Sequence, residues 1–90
     1  MTRDDAKQDL PGIDFSTLVL SLATSAMVHM GLVPESEGGS TEKNLPLAHQ
    51  TIDTLELLQT KTRGNLTDDE SKLLQSVLYE LRMSYVKALG

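Results

Sequence analysis

The 90-residue chain contains no cysteine and no tryptophan, and its aromatic residues are one phenylalanine and two tyrosines. The absence of cysteine excludes disulfides, thiolate metal ligands and cysteine nucleophiles. The scarcity of aromatic residues removes the platforms on which single-stranded bases stack. Thirteen acidic against eight basic residues give a net charge of −5, which repels a phosphate backbone. We therefore predict that nucleic acid is not a partner.

The length of the chain suits one domain, in a size range where a single core is only just adequate and oligomerisation often adds stability. The first twelve residues mix charges of both signs and carry no apolar run, so they do not resemble a secretory signal. We expect a cytoplasmic protein with a flexible tail at residues 1–13. A single helical domain then covers residues 14–90, with a mobile loop rich in Gly, Ser and Glu at residues 34–44.

One segment raises the question of a membrane, because residues 15–33 contain no formal charge over a length that can cross a bilayer. Several hydroxyl side chains, together with His29 and Gly31, interrupt its apolar character. No cluster of Lys or Arg flanks either end. We therefore favour a buried soluble helix over a membrane span.

Three segments show apolar residues at helical spacing, at about residues 15–31, 45–63 and 67–88. Asp14 or Ser16 can cap the first helix, and Pro46 suits the first turn of the second. Thr67 and Glu70 form the pattern of a capping box at the start of the third helix. The short link before Thr67 makes the second and third helices an antiparallel hairpin. The predicted fold is all-α, a three-helix arrangement completed by oligomerisation.

The first helix is more apolar than a surface helix needs to be. Projected at about 100° per residue, its apolar side chains form an arc of roughly 200°, which one neighbouring helix cannot cover. The residues of this apolar arc are Phe15, Leu18, Val19, Leu20, Leu22, Ala23, Ala26, Met27 and Met30. The third helix has a main apolar stripe that includes Leu74, Leu78 and Leu81, and it carries a second, smaller apolar patch on the side away from this stripe. Because large exposed apolar patches usually mark interfaces, we predict an oligomer interface. The predicted interface residues are Phe15, Leu18, Val19, Leu22, Ala26, Met30, Tyr79, Met83 and Val86.

The remaining side of the first helix carries small hydroxyl residues, among them Thr17, Ser21 and Thr24. Small side chains of this kind suit either solvent or a close contact with another helix. Both interpretations stay open, and we favour solvent.

The two histidines fall on different helices. His29 has Ser25 one turn before it, which favours a hydrogen-bonded packing role. His49 faces Asp53 one turn further on, and two ligands are too few for a metal site. The chain shows no nucleophile elbow, no phosphate-binding glycine loop and no histidine-plus-carboxylate catalytic pattern. We therefore predict no enzymatic activity, no cofactor and no metal.

Three stretches of the sequence carry a resemblance to a known family: DFSTLVLSLATSAMVHMGLV, KNLPLAHQTIDTLELLQTKTRGNLT and LLQSVLYELRMSYV. They resemble the short bacterial proteins grouped as domain of unknown function 1844, over about residues 14–33 and 43–86. The resemblance implies a small bacterial cytoplasmic protein, and it supplies no activity, cofactor or functional residue. Agreement extends to polar positions, namely Ser21, Thr24, His29, Asn44, Gln50, Asp53 and Arg82.

Two classes of function remain open. The first is a structural or protein-interaction module, a homo-oligomer whose first helix is buried between subunits and which also meets another protein. The alternative is a module that binds an apolar small molecule or lipid in a cavity lined by Met27 and Met30. Peripheral membrane association is a weaker alternative, because the negative charge gives no electrostatic help.

Overall fold

The computed structural model of the chain describes residues 12–33 and 43–90. Within those residues the chain forms three α-helices and no strand: α1 (Phe15–His29), α2 (Leu45–Lys61) and α3 (Asp68–Leu89). The prediction of an all-α, three-helix fold is therefore confirmed. The predictions of a flexible tail at residues 1–13 and a mobile loop at 34–44 fall almost entirely outside the described residues.

The start of α1 is set by Asp14, whose carboxylate accepts a hydrogen bond from the backbone N–H of Thr17 at 2.8 Å. This bond decides between the two predicted caps, Asp14 and Ser16. It also holds the pKa of Asp14 below its ordinary value, because the charged carboxylate is the better acceptor. The helix ends at His29, two residues earlier than predicted, and the backbone reverses through Gly31 with a φ of 78°.

The start of α2 is capped by Asn44, whose side chain accepts from the backbone N–H of Leu47 at 3.2 Å. Asn44 was predicted to belong to the mobile loop. Its own N–H donates to the carbonyl of His29 at 2.6 Å, which joins the end of α1 to the start of α2. The helix ends at Lys61, two residues before the predicted end, and Gly64 follows with a φ of 86°.

The start of α3 has the predicted capping box. The hydroxyl of Thr67 accepts from the N–H of Glu70 at 3.1 Å, and the carboxylate of Glu70 accepts from the N–H of Thr67 at 2.9 Å. Helices α2 and α3 run in opposite directions. His49, near the start of α2, lies beside Tyr85, whereas Glu56, later in α2, bonds Arg82, which comes before Tyr85 in α3. The predicted antiparallel hairpin is therefore present.

Removing the cap of α3 should measurably weaken the fold. We expect Thr67→Ala to lower the free energy of unfolding by about 1 kcal/mol, because one backbone N–H of the first turn loses its partner. Urea denaturation followed by circular dichroism measures this change. Thr60→Ala, at an exposed position within α2, is the control and should change the value by less than about 0.5 kcal/mol. Equal effects of the two substitutions would contradict the role of the capping box.

The core is built by all three helices, and α1 packs against both of the others. Its broad apolar arc therefore packs against two helices of the same chain. The sequence had indicated that one neighbouring helix would not be enough to cover it. Thr17, Ser21 and Thr24 lie on the outer side of α1 and are exposed, as we favoured. The buried core residues are Val19, Ala23, Ala26, Met30, Ala48, Ile52, Leu55, Leu74, Leu78 and Leu81.

Candidate functional site

Three of the nine predicted interface residues are in the core of the chain. Val19, Ala26 and Met30 are fully buried within the three-helix unit. They lie on the side of α1 that faces α2 and α3, so in this fold a second copy of the chain cannot reach them. The prediction that these three residues contact another copy of the chain is therefore wrong, because they are buried by contacts within their own chain.

The other predicted interface residues of α1 lie at the margins of its packed side. Phe15 and Leu22 are half-buried and pack against the core. Leu18 is 39% exposed. Leu20, which the interface prediction omitted, is 50% exposed. Leu20 lies at the edge of the predicted apolar arc, and this position could have indicated that its side chain would be partly exposed.

The most exposed predicted surface is on α3, where Tyr79, Met83 and Val86 form what we call the α3 strip. Their side chains are 61%, 46% and 64% exposed. Their spacing of four and then three residues places them on one face of the helix. The buried residues of α3, Leu74, Leu78 and Leu81, lie on the opposite face. Neither α1 nor α2 therefore covers the α3 strip.

Charged side chains border the α3 strip on both sides. Glu80 and Lys87 lie along one edge, and both are exposed. Arg82 lies along the other edge and is held by the carboxylate of Glu56, with Nη2 at 2.6 Å and Nε at 3.0 Å from Oε2. Both partners of this ion pair are about half exposed, so it contributes at most about 1 kcal/mol to stability. Its main effect is to fix the Arg82 side chain against α2.

A groove of about 310 Å³ runs between α2 and α3, and Val86 of the α3 strip is part of its lining. In it Nδ1 of His49 lies 3.1 Å from Oδ2 of Asp53, as their spacing predicted. The ring of Tyr85 meets the imidazole edge-on, with the ring centroids 5.6 Å apart. Within residues 12–33 and 43–90, no three His, Cys, Asp or Glu side chains are arranged to hold a metal ion. This geometry suits a packed surface histidine rather than a reactive one.

The second histidine, His29, is half-buried near the end of α1. Its Nε2 lies 3.4 Å from the hydroxyl of Ser25, one turn earlier. This long hydrogen bond agrees with the predicted packing role.

An apolar groove of about 240 Å³ lies between α1 and α3. Leu20 and Met27 form its α1 wall, Val77 forms part of its α3 wall, and Glu80 stands at its rim. Met30 does not line it, because that side chain is fully buried in the core. The predicted ligand cavity is therefore a surface groove that uses only one of the two methionines assigned to it.

No helix in the described part of the chain is both long enough and apolar enough to cross a bilayer. The uncharged segment considered above contributes a helix of 15 residues, shorter than the roughly 20 that a span needs.

Comparison with known proteins bears on the resemblance noted above. No curated protein and no solved structure matches the chain. A family model described as Domain of unknown function (DUF1844) matches residues 12–87. That range takes in α1, α2 and nearly all of α3, and it confirms the resemblance that the three sequence stretches carry. The chain belongs to the DUF1844 family.

Proposed function

We propose that the protein is a small interaction module that acts by binding rather than by catalysis and that self-associates through the α3 strip. The observation that carries the proposal is the exposure of Tyr79, Met83 and Val86 on the face of α3 opposite the core. Contiguous apolar surface of this kind on a small protein usually marks a contact with another molecule. A second copy of the chain is the partner that is always present.

The size of the α3 strip favours a reversible dimer. Complete burial of a side chain of this type contributes about 1.5–3 kcal/mol, and each of the three is already partly covered. Two copies together therefore supply several kcal/mol, which is comparable with the cost of association, about 4–15 kcal/mol. With Val19, Ala26 and Met30 in the core, less apolar surface is left for a partner than the arc of α1 suggested. We expect a dissociation constant in the micromolar range or weaker.

Sedimentation equilibrium over about 1 µM to 1 mM protein tests self-association, because this range spans the expected constant. The wild-type chain should change from monomer to dimer as its concentration rises. Met83→Glu should weaken the dimer at least tenfold, since each copy then places a charge in the middle of the strip. The thermal unfolding of the variant at low concentration should stay close to that of the wild type.

The matched control is Leu57→Glu, which changes an exposed leucine on the side of α2 opposite its buried residues. This variant should dimerise like the wild-type chain. A wild-type protein that remains monomeric over the whole range contradicts the proposal. An equal loss of dimer in both variants would place the contact elsewhere.

A second candidate function rests on the groove between α1 and α3. Its lining around Leu20, Met27 and Val77 is apolar, which suits an acyl chain or another apolar small molecule. Mass spectrometry of gently purified protein distinguishes the two functions. A retained apolar ligand supports binding in the groove, whereas ligand-free protein that dimerises supports the interaction module.

A further inference from the structure

We infer that the two copies pack their α3 helices antiparallel, so that Glu80 of each copy lies against Lys87 of the other. The inference rests on the proposed self-association through the α3 strip. It adds the orientation, the register and the specific charge pairs of the contact.

The spacing within the α3 strip is that of a coiled-coil seam. Tyr79, Met83 and Val86 are separated by four and three residues, which is the alternation of the two apolar positions in a heptad. The same alternation continues to the small residues Ser76 and Gly90. A second helix can therefore lie along the strip nearly parallel or antiparallel to α3, with side chains from both helices interlocking.

The charges beside the seam distinguish these two orientations. Glu80 and Lys87 are seven residues apart, so they occupy the same flank of the seam and have opposite signs. In an antiparallel pair with a two-fold axis near Met83, the residues on one flank of the seam lie against the same flank of the other copy. The two flanks run in opposite directions, so the first residue of one faces the last residue of the other. Glu80 then lies against Lys87 of the second copy, and the symmetry repeats the contact.

The parallel arrangement lacks this complementarity. In a parallel pair each flank lies against the opposite flank of the other copy. A residue of one copy then faces the residue of the other copy that is five positions later in the sequence. Arg82 then approaches Lys87 of the second copy, which brings two positive charges together at both sides of the seam. Glu80 faces only the uncharged Gln75. The charge pattern therefore favours the antiparallel pair.

The position of α1 is compatible with this contact. Glu80 stands at the rim of the groove whose α1 wall includes Leu20, and Leu20 is half-exposed. A helix seated on the α3 strip and reaching Glu80 comes close to that rim. Leu20 thus adds apolar contact on the same side as the two charge pairs.

Charge reversal in the full chain tests the register. Glu80→Lys and Lys87→Glu should each weaken the dimer at least tenfold in sedimentation equilibrium, because each creates two like-charge contacts in place of two attractive ones. The double variant, E80K with K87E, should return to within about threefold of the wild-type constant. An equimolar mixture of the two single variants should form a heterodimer more tightly than either forms a homodimer, since all its contacts join opposite charges.

The control for these variants is Lys61→Glu, because Lys61 is the basic residue in the last turn of α2 as Lys87 is in α3. This variant loses the same favourable interaction with a helix C-terminus and should leave the dimer constant unchanged.

The outcomes separate this inference from the proposed function. A wild-type chain that never dimerises contradicts self-association itself, and the register with it. A dimer that is tightened by Lys87→Glu and unaffected by Glu80→Lys is the result expected of the parallel pair, and it overturns only the antiparallel register. If the double variant dimerises as weakly as the two single variants, the antiparallel register is overturned in the same way.

Discussion

Leu55→Ala should lower the free energy of unfolding by about 2–5 kcal/mol. The side chain is fully buried in the middle of α2, within a core to which all three helices contribute. Its truncation leaves a cavity that helices packed on several sides cannot close. Small domains have a total stability of only about 5–15 kcal/mol, so the loss is a large part of the whole. Urea denaturation followed by circular dichroism measures it directly.

The matched control is Leu57→Ala, two residues further along the same helix. Leu57 is 56% exposed, and its truncation should change the free energy of unfolding by no more than about 0.5 kcal/mol. Both variants should be compared at low protein concentration, because self-association stabilises the folded state by mass action. Similar losses at both positions would show that α2 is not oriented as described.

Ala26→Leu should destabilise the protein by about 1–3 kcal/mol through overpacking. Ala26 is fully buried on the side of α1 that faces the other two helices, and no surface is open beside it. Three added carbon atoms have to displace either α1 or the side chains around it. For a domain of this size each kcal/mol lowers Tm by roughly 4–8 °C, so thermal unfolding gives a clear readout.

Thr24→Leu is the control for Ala26→Leu, because Thr24 lies on the exposed hydroxyl face of the same helix. It should leave Tm nearly unchanged. The loss caused by Ala26→Leu should also be the same at all protein concentrations, since the chain's own helices cover that residue. A loss that appears only when the protein is concentrated would mean that a second copy buries Ala26.

The positions of the helix ends were predictable because caps are local chemistry. Thr67 and Glu70 are three residues apart, and their reciprocal hydrogen bonds need no other part of the chain. The end of α2 has an equally local cause, since Gly64 just after it adopts a left-handed backbone conformation that glycine accepts without strain. Asn44 was missed as a cap because the Gly- and Ser-rich residues before it favoured a loop.

The division of α1 into buried and exposed residues was not predictable in the same way. Val19 and Leu18 are neighbours within one broad apolar arc, yet Val19 is fully buried and Leu18 is partly exposed. The difference depends on where α2 and α3 cross α1, and no local pattern in α1 encodes those crossings. The α3 strip was easier to recognise, because the stronger stripe through Leu74, Leu78 and Leu81 already identified the packed side of that helix.

The positions of the two tyrosines determine the optical properties of the protein. Tyr79 lies on the α3 strip, and Tyr85 lies half-buried against the imidazole of His49. With no tryptophan in the chain and a single, weakly emitting phenylalanine, its intrinsic fluorescence comes mainly from the tyrosines. Replacing Tyr79 with phenylalanine leaves an emission signal that follows the docking of α3 against α2. Replacing Tyr85 with phenylalanine instead leaves the emission of Tyr79, which follows the contact of the α3 strip with a second copy of the chain.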